Sequence, residues 1–379
     1  MIYLDNSATT YPKPQSVVNA LSYAVRELGA NPGRSGHSMS VKAAKAVFEV
    51  REKAAAFFGA KPENVIFTSN CTHSLNTAIK GILKKGDHVI TSSLEHNSVA
   101  RPIFALQSEG VEVSVAPVYE SDEQTKEAFE RLIKKNTKAI VCTHASNVTG
   151  KLLPISSIAR ICKEHGIAFI VDAAQTAGVI DVKLTDGVNV ICTAGHKGLF
   201  GPMGTGLLIT DGKFPIKPLT EGGTGNASLE LSQPSELPEA LESGTVNTPG
   251  IYALGKGLDF VSSLGTEKIY KHESKLCNIL VSELEAIPEI TLLRGEGSYA
   301  PIVSFNVNGV HSSEVAQYLS QKGVASRGGF HCAALTHGYL KTSDVGAVRL
   351  SPGVFTTERQ IFTAAQMIKK FVKSQNTPL

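Results

Sequence analysis

Between residues 60 and 210, short apolar runs alternate with stretches whose apolar positions recur every three or four residues. The runs 64–68, 87–92, 111–117, 138–143, 167–172 and 188–193, most of them with apolar centres, read as strands, while 72–83, 97–108, 123–134 and 155–165 read as helices. Strands that do not alternate apolar with polar, and that are separated by helices, predict a mostly parallel sheet covered on both faces. Ligands bind such sheets beyond the carboxyl ends of the strands, so the residues just after each run are the ones to inspect.

The pattern then changes. Residues 211–250 are rich in Gly, Pro, Ser and Thr and read as an irregular connection. A helical stretch over 251–286 leads to strands at 290–294 and 301–307, a helix at 311–323, a short strand at 347–352 and a closing helix over 356–373. The expected architecture is α/β, a large domain over 15–255 and a smaller α+β domain made of 1–14 with 256–379.

Composition narrows the function. A chain of 379 residues, 42% hydrophobic, can bury two cores, and a net charge of only +3 leaves no footprint for nucleic acid or an anionic membrane. No apolar stretch reaches the roughly 18 residues of a membrane span, and the first residues lack the basic and apolar regions of a signal peptide. Six cysteines are irregularly spaced, with no C-x-x-C pair and no metal-ligand spacing, and a reducing cytoplasm is the expected location. Cys142 and Cys192 lie in apolar runs and read as buried small residues.

Three segments carry chemistry. The strand ending at Thr68 runs through Ser69 and Asn70 into Cys71, Thr72 and His73, where a helix opens. Its free N–H groups and dipole make an anion site, although Thr72 as a plain cap accounts for the same pattern. Asp172 directly follows an apolar run, and a carboxylate there needs a cationic partner, a cap or an ion pair. Lys197 follows another buried run inside Gly195-His196-Lys197-Gly198. Desolvation would help such a lysine lose its proton for amine chemistry, against the alternative of a surface lysine in a glycine-rich turn.

Asp172–Gln175 and Gly195–Lys197, with Tyr3–Thr10, Leu94–Asn97, Thr143–Gly150, Glu242–Thr248 and Arg327–Ala333, occur in one order along the chain. In that order the whole chain resembles the cysteine desulfurase / selenocysteine lyase family, among the class V aminotransferases of pyridoxal 5′-phosphate (PLP) fold type I. The resemblance implies a PLP-binding large domain, a homodimer with the site at its interface, and L-cysteine or L-selenocysteine as substrate. It implies Lys197 as the lysine that carries PLP as a Schiff base, Asp172 as partner of the pyridinium nitrogen, and His96 as the imidazole stacked on the ring and a candidate acid/base. Gln175 and Asn147 would bond the ring hydroxyl and the substrate. Cys71, Thr72 and His196 would cradle the phosphate, with Thr245 from the neighbouring subunit. Arg349 would fork onto the substrate carboxylate, and Cys332 would accept sulfur as a persulfide, with a sulfur acceptor protein as a further partner.

Two features depart from the family's pattern. Ala194 stands where many members have a phosphate-binding Ser, and the adjacent Thr193 should point differently. The Cys332 loop is compact rather than long. Arg327 suits either holding that loop or a catalytic role, and His37 either the mouth of the site or a turn cap. Selenocysteine lyase, another class V activity such as transamination, and a non-catalytic scaffold binding a sulfur carrier are the alternatives. A transaminase needs no nucleophilic thiol, and a scaffold does not need Lys197, Asp172 and His96 together.

Overall fold

A computed structural model describes the chain except for residues 34–35, 186, 226–227 and 376–379. Arg34, in the segment that leads to His37, therefore lies outside the described residues. The chain opens with β1 (Ile2–Tyr3), α1 (Gln15–Glu27) and α2 (Ser38–Phe58). The central series is β2 (Val65–Thr68), α3 (Cys71–Ile82), β3 (His88–Ser92), α4 (Asn97–Ser108), β4 (Glu112–Ala116), α5 (Asp122–Arg131), β5 (Thr137–Thr143), α6 (Ile155–His165), β6 (Ala168–Asp172), β7 (Val190–Ala194) and β8 (Gly206–Thr210). Helices α7 (Thr248–Leu264) and α8 (Thr266–Glu285) lead to β9 (Ile290–Leu292), β10 (Val303–Val307), α9 (Ser312–Gln321), β11 (Val324–Ala325), β12 (Arg327–Gly329), α10 (Ala334–Leu340), β13 (Ala347–Leu350) and α11 (Glu358–Gln375).

Seven strands form one sheet in the order β2-β8-β7-β6-β5-β3-β4. The five from β4 to β7 run parallel, as the alternation of strands with helices predicts, and the edge strand β4 keeps Glu112 and Val115 exposed. Strand β8 pairs antiparallel with both β7 and β2, which the sequence pattern did not disclose. Side chains alternate between two buried layers: Phe169 and Val171 of β6 join one core, and Ala168 and Ile170 join the other. Burying both faces removes the polar alternation that an exposed face would impose.

The helical stretch expected over 251–286 is two helices. Gly265, at φ 83, ends α7 and starts α8, a conformation that only glycine adopts readily. The C-terminal third builds a four-stranded antiparallel sheet, β12-β13-β10-β9. Strand β1 pairs parallel with β11, and Leu4 is buried with Leu280, Phe305, Val348 and Ile368. The N-terminus thus returns to the end of the chain and carries Asp5 beside β13, through a bridge between Asp5 and Ser351.

Among the described residues, no helix is long and apolar enough to cross a membrane.

Candidate active site

The carboxyl ends of β2, β3, β5, β6 and β7 present Cys71, His96, Asn147, Asp172 and Lys197 on one edge of the sheet. Asn70 caps α3 by accepting from the His73 amide at 2.9 Å, which leaves the first turn's remaining amides directed outward. The loops after β6 and β7 touch through Gly178 and Gly198. A side chain on either would collide with the other loop's backbone, so two glycines set the approach of the Asp172 and Lys197 segments.

Asp172 is buried, and its Oδ1 accepts from the Ala174 amide at 2.9 Å and from the Cys71 thiol at 3.5 Å. Burial lowers the pKa of the half-buried Lys197; Asp172 opposes that shift, and Arg349 and Arg327 add to it. The result is a lysine with an enlarged population of free amine, the nucleophilic form. The N-terminal segment pins its turn: Thr10 Oγ1 donates to the Lys197 carbonyl at 3.0 Å, and Lys13 Nζ to the His196 carbonyl at 2.7 Å.

His96 caps α4. Its Nδ1 accepts from the Ser98 amide at 3.0 Å, so the neutral ring carries its proton on Nε2. Burial, with Lys197, Arg327 and Arg349 nearby, pushes its pKa down to about 4 despite Asp172. Ser98 Oγ lies 2.8 Å from His96 Nδ1 and 2.7 Å from Thr72 Oγ1, linking two of the expected site residues through a serine that the sequence reading did not single out. His196, also pushed down to about 4 chiefly by burial, keeps a buried Nδ1 without a partner.

From the four-stranded sheet, the turn between β12 and α10 brings in Cys332. His331 and Cys332 are consecutive non-glycine residues at φ 49 and φ 53, a pairing that costs free energy and needs outside support. Three bonds supply it: Asn147 Nδ2 to the His331 carbonyl at 2.8 Å, the Asn97 amide to the Cys332 carbonyl at 2.7 Å, and His331 Nε2 to the Ala347 carbonyl at 2.9 Å. Residues flanking the imidazole and Asp172 edges therefore hold the cysteine turn. Cys332 is exposed, whereas the other five cysteines are buried. Arg349 is 1% exposed; its two terminal nitrogens donate to the Asn147 carbonyl and to Asp5 Oδ1, each at 2.8 Å. Arg327 sits opposite it across the β12–β13 ladder.

Other expected residues lie further out. Gln175 donates to the Ser7 carbonyl at 3.2 Å. Thr245 is exposed, with its hydroxyl accepting from Asn31 at 3.2 Å, away from the residues gathered at this edge. Thr193 is fully buried and turns to the Ala173 carbonyl at 3.4 Å, away from Ala194's face. His37 caps α2, accepting from the Ser40 amide at 3.3 Å, which is the turn-capping alternative.

Glu95, next to His96 in the Leu94–Asn97 segment, is fully buried. Its Oε1 accepts from Ser92 Oγ and from the Thr143 amide, and its Oε2 is buried without a partner. Burial, with Asp172 adding to it, raises its pKa to about 8, against the hydrogen bonds from Ser92 and Thr143. An acidic residue among apolar and small neighbours is the signal that marks it. Because the folded value lies above the unfolded one, the protonated carboxyl's contribution is complete below about pH 4.5 and is lost as pH rises through about 8. Glu95→Gln keeps the neutral form at every pH. Its melting temperature relative to wild type should therefore rise from pH 5 to pH 8.5; a flat difference would mean that Glu95 is ionised throughout.

Known proteins resemble this chain over nearly its whole length. A probable cysteine desulfurase of Methanothermobacter thermautotrophicus is 32% identical over 370 residues, covering 95% of this chain and 92% of the relative. One from Synechocystis is 32% identical, covering 98% and 91%. The apo structure of a cysteine desulfurase from Thermococcus onnurineus superposes with a TM-score of 0.90 at 30% identity, covering 98% of this chain and 95% of that one. The α/β architecture is thus that of fold type I. The aminotransferase class-V pattern matches residues 2–363, from the strand that leads to Asp5 through β13 and into α11, so every element that contributes to the cleft falls within it, and the chain belongs to that family.

Proposed function

We propose that the protein is a PLP-dependent cysteine desulfurase that converts L-cysteine to L-alanine and collects the sulfur as a persulfide on Cys332. The observation that carries this reading is the presentation of the one exposed cysteine on a tethered left-handed turn, bonded to the residue next to His96. The similarity to relatives named cysteine desulfurase supports it.

The residues present fit PLP. Lys197 offers an amine, Asp172 a carboxylate for a ring nitrogen, and His96 a neutral imidazole for the ring face. Cys71 and Thr72 open α3, whose first turn would suit a phosphate, and His196 would join them; the buried Asn147 Oδ1 and His196 Nδ1, without partners among the described residues, are atoms that a polar ligand would satisfy. Gln175 would assist Asn147 at the ring hydroxyl, and Thr245 would reach the phosphate of a neighbouring subunit in a homodimer. Residues 15–255 would form the cofactor domain and 1–14 with 256–379 the domain that brings in Cys332 and Arg349, in a cytoplasmic enzyme.

When bound, PLP supplies an electron sink conjugated to the substrate's Cα. Lys197, as the free amine, takes the Cα proton and, once Cβ has gained a proton in place of sulfur, returns one to Cα. His96, neutral with its proton on Nε2, can donate at the ring face. The Cys332 thiolate attacks the substrate sulfur: the S–S bond forms as the Cβ–S bond breaks, Cβ gains a proton, and L-alanine leaves. The exposed persulfide is then open to a small thiol or an acceptor protein. Arg349 holds the substrate carboxylate.

The test is alanine release from L-cysteine and from L-selenocysteine, each with and without a reductant. Alanine from L-cysteine that rises with the reductant supports the reading, because the reductant clears Cys332. Alanine from L-selenocysteine alone would favour a selenocysteine lyase. Arg349→Lys keeps the charge but loses the planar fork, so it should raise the apparent KM for L-cysteine roughly tenfold, about 1.4 kcal/mol, with the fold kept. An unchanged KM would remove Arg349 from that role.

A further inference from the structure

Arg349 lies in the middle of β13 with almost no access to solvent. A guanidinium taken out of water is costly unless it is paired and its donors are used. Asn147 supplies a neutral carbonyl to one terminal nitrogen, and Asp5 supplies, among the described residues, the one carboxylate within salt-bridge distance, 2.8 Å from the other. Nε is buried and has no partner. The cation is thus clamped at both ends, with donor capacity left over.

Asp5 reaches this point because the N-terminal strand is fastened to the end of β13. The Ser351 amide donates to the Leu4 carbonyl at 2.7 Å, the Asn6 amide to the Ser351 carbonyl at 3.2 Å, and the Ser7 amide to Ser351 Oγ at 2.9 Å. The Asp5 side chain keeps 21% of its surface accessible, so it stands between the buried arginine and solvent. This placement is built from backbone bonds on both sides of Asp5 and does not depend on the arginine.

We propose that Asp5 is a positioning residue for substrate recognition: its carboxylate fixes one end of the Arg349 guanidinium so that the remaining N–H donors receive the carboxylate of the amino-acid substrate. This deepens the reading of Arg349 as the carboxylate-binding residue and rests on it. Without Asp5 the guanidinium keeps only the Asn147 carbonyl and can swing about it, which weakens binding of ligands that bear a carboxylate and leaves the later chemistry intact.

The experiment uses the full-length, PLP-loaded protein and the variants Asp5→Ala and Asp5→Asn. Calorimetric binding of L-alanine is compared with that of ethylamine, which lacks the carboxylate, and KM and kcat for L-cysteine are measured separately. Asp5→Ala should lose the preference for L-alanine and raise KM by roughly tenfold, as expected for misplacing a charge-assisted pair, with kcat within about threefold of wild type. Asp5→Asn keeps an acceptor oxygen and should fall between. If Asp5→Ala does not fold, a rise in KM of threefold or more in Asp5→Asn supports the proposal, and an unchanged KM overturns it. A lower KM in either variant also overturns it, because Asp5 would then compete with the substrate for Arg349. If the wild type makes no alanine from L-cysteine, the desulfurase reading fails, and the L-alanine and ethylamine affinities alone decide the role of Asp5.

Discussion

Lys197→Ala is expected to reduce alanine formation from L-cysteine by on the order of 10²- to 10⁴-fold, the range for removing a positioned proton-transfer group, and to abolish covalent retention of PLP. Treating the wild-type protein with borohydride and mapping the peptides should place the label on Lys197. The structure names the competitor as well. Lys13 lies beside the same turn, and burial lowers its pKa to about 8, so it too has free amine near neutral pH. Its Nζ is held at 2.7 Å by both the Thr10 hydroxyl and the His196 carbonyl, which directs it to the back of the turn. Lys197 instead lies within electrostatic reach of Asp172, Cys71, Arg349 and Arg327, the groups expected around cofactor and substrate. A label on Lys13, or a covalent band kept by Lys197→Ala, would overturn the assignment.

The second large effect is selective between chalcogens. Cys332→Ala should lower alanine formation from L-cysteine by roughly two orders of magnitude or more, while turnover of L-selenocysteine stays within about threefold. A carbon–selenium bond is weaker, and selenium leaves more readily, so the selenium substrate needs no attacking thiolate. The other cysteines cannot take over. Burial raises the pKa of Cys71, Cys142, Cys162, Cys192 and Cys277, keeping them as thiols, and Cys71 also donates to Asp172. An unchanged PLP spectrum in the variant excludes a folding defect. Equal loss on both substrates would give Cys332 a part in proton transfer, and full activity on L-cysteine would show that it is not the nucleophile.

The chain by itself determined what local periodicity can record. Short runs with apolar centres mark the strands of the large sheet, because a strand buried on both faces admits few polar side chains, and those mostly at its ends. The position after each run then locates Asp172, His96 and Lys197 at the carboxyl edge, since the strand's end sets where the next residues emerge. Helices α1 and α2 escaped that reading. The buried face of α2 is largely alanine and valine, with Arg51 among them, so its apolar stripe stands out weakly against polar neighbours. The antiparallel direction of β8 escaped it too, because the direction of a strand leaves no trace in its composition.

Only the tertiary structure decided which charges meet. Asp5 and Arg349 pair across 344 positions, and Arg51 with Glu242 across 191, through chain returns that no local pattern encodes. The burial of Glu95, and with it a carboxyl pKa raised to about 8, follows from packing behind Thr143 and Asp172 rather than from its neighbours in sequence. The left-handed turn at His331 and Cys332 is likewise a product of assembly: nothing in two non-glycine residues favours φ near +50, and the bonds from Asn97 and Asn147 in the large sheet's loops hold them there. The physical reason is the same in each case. Desolvation and pairing energies depend on what surrounds a group in space, and those surroundings exist only once the two ends of the chain have come together over the edge of the sheet.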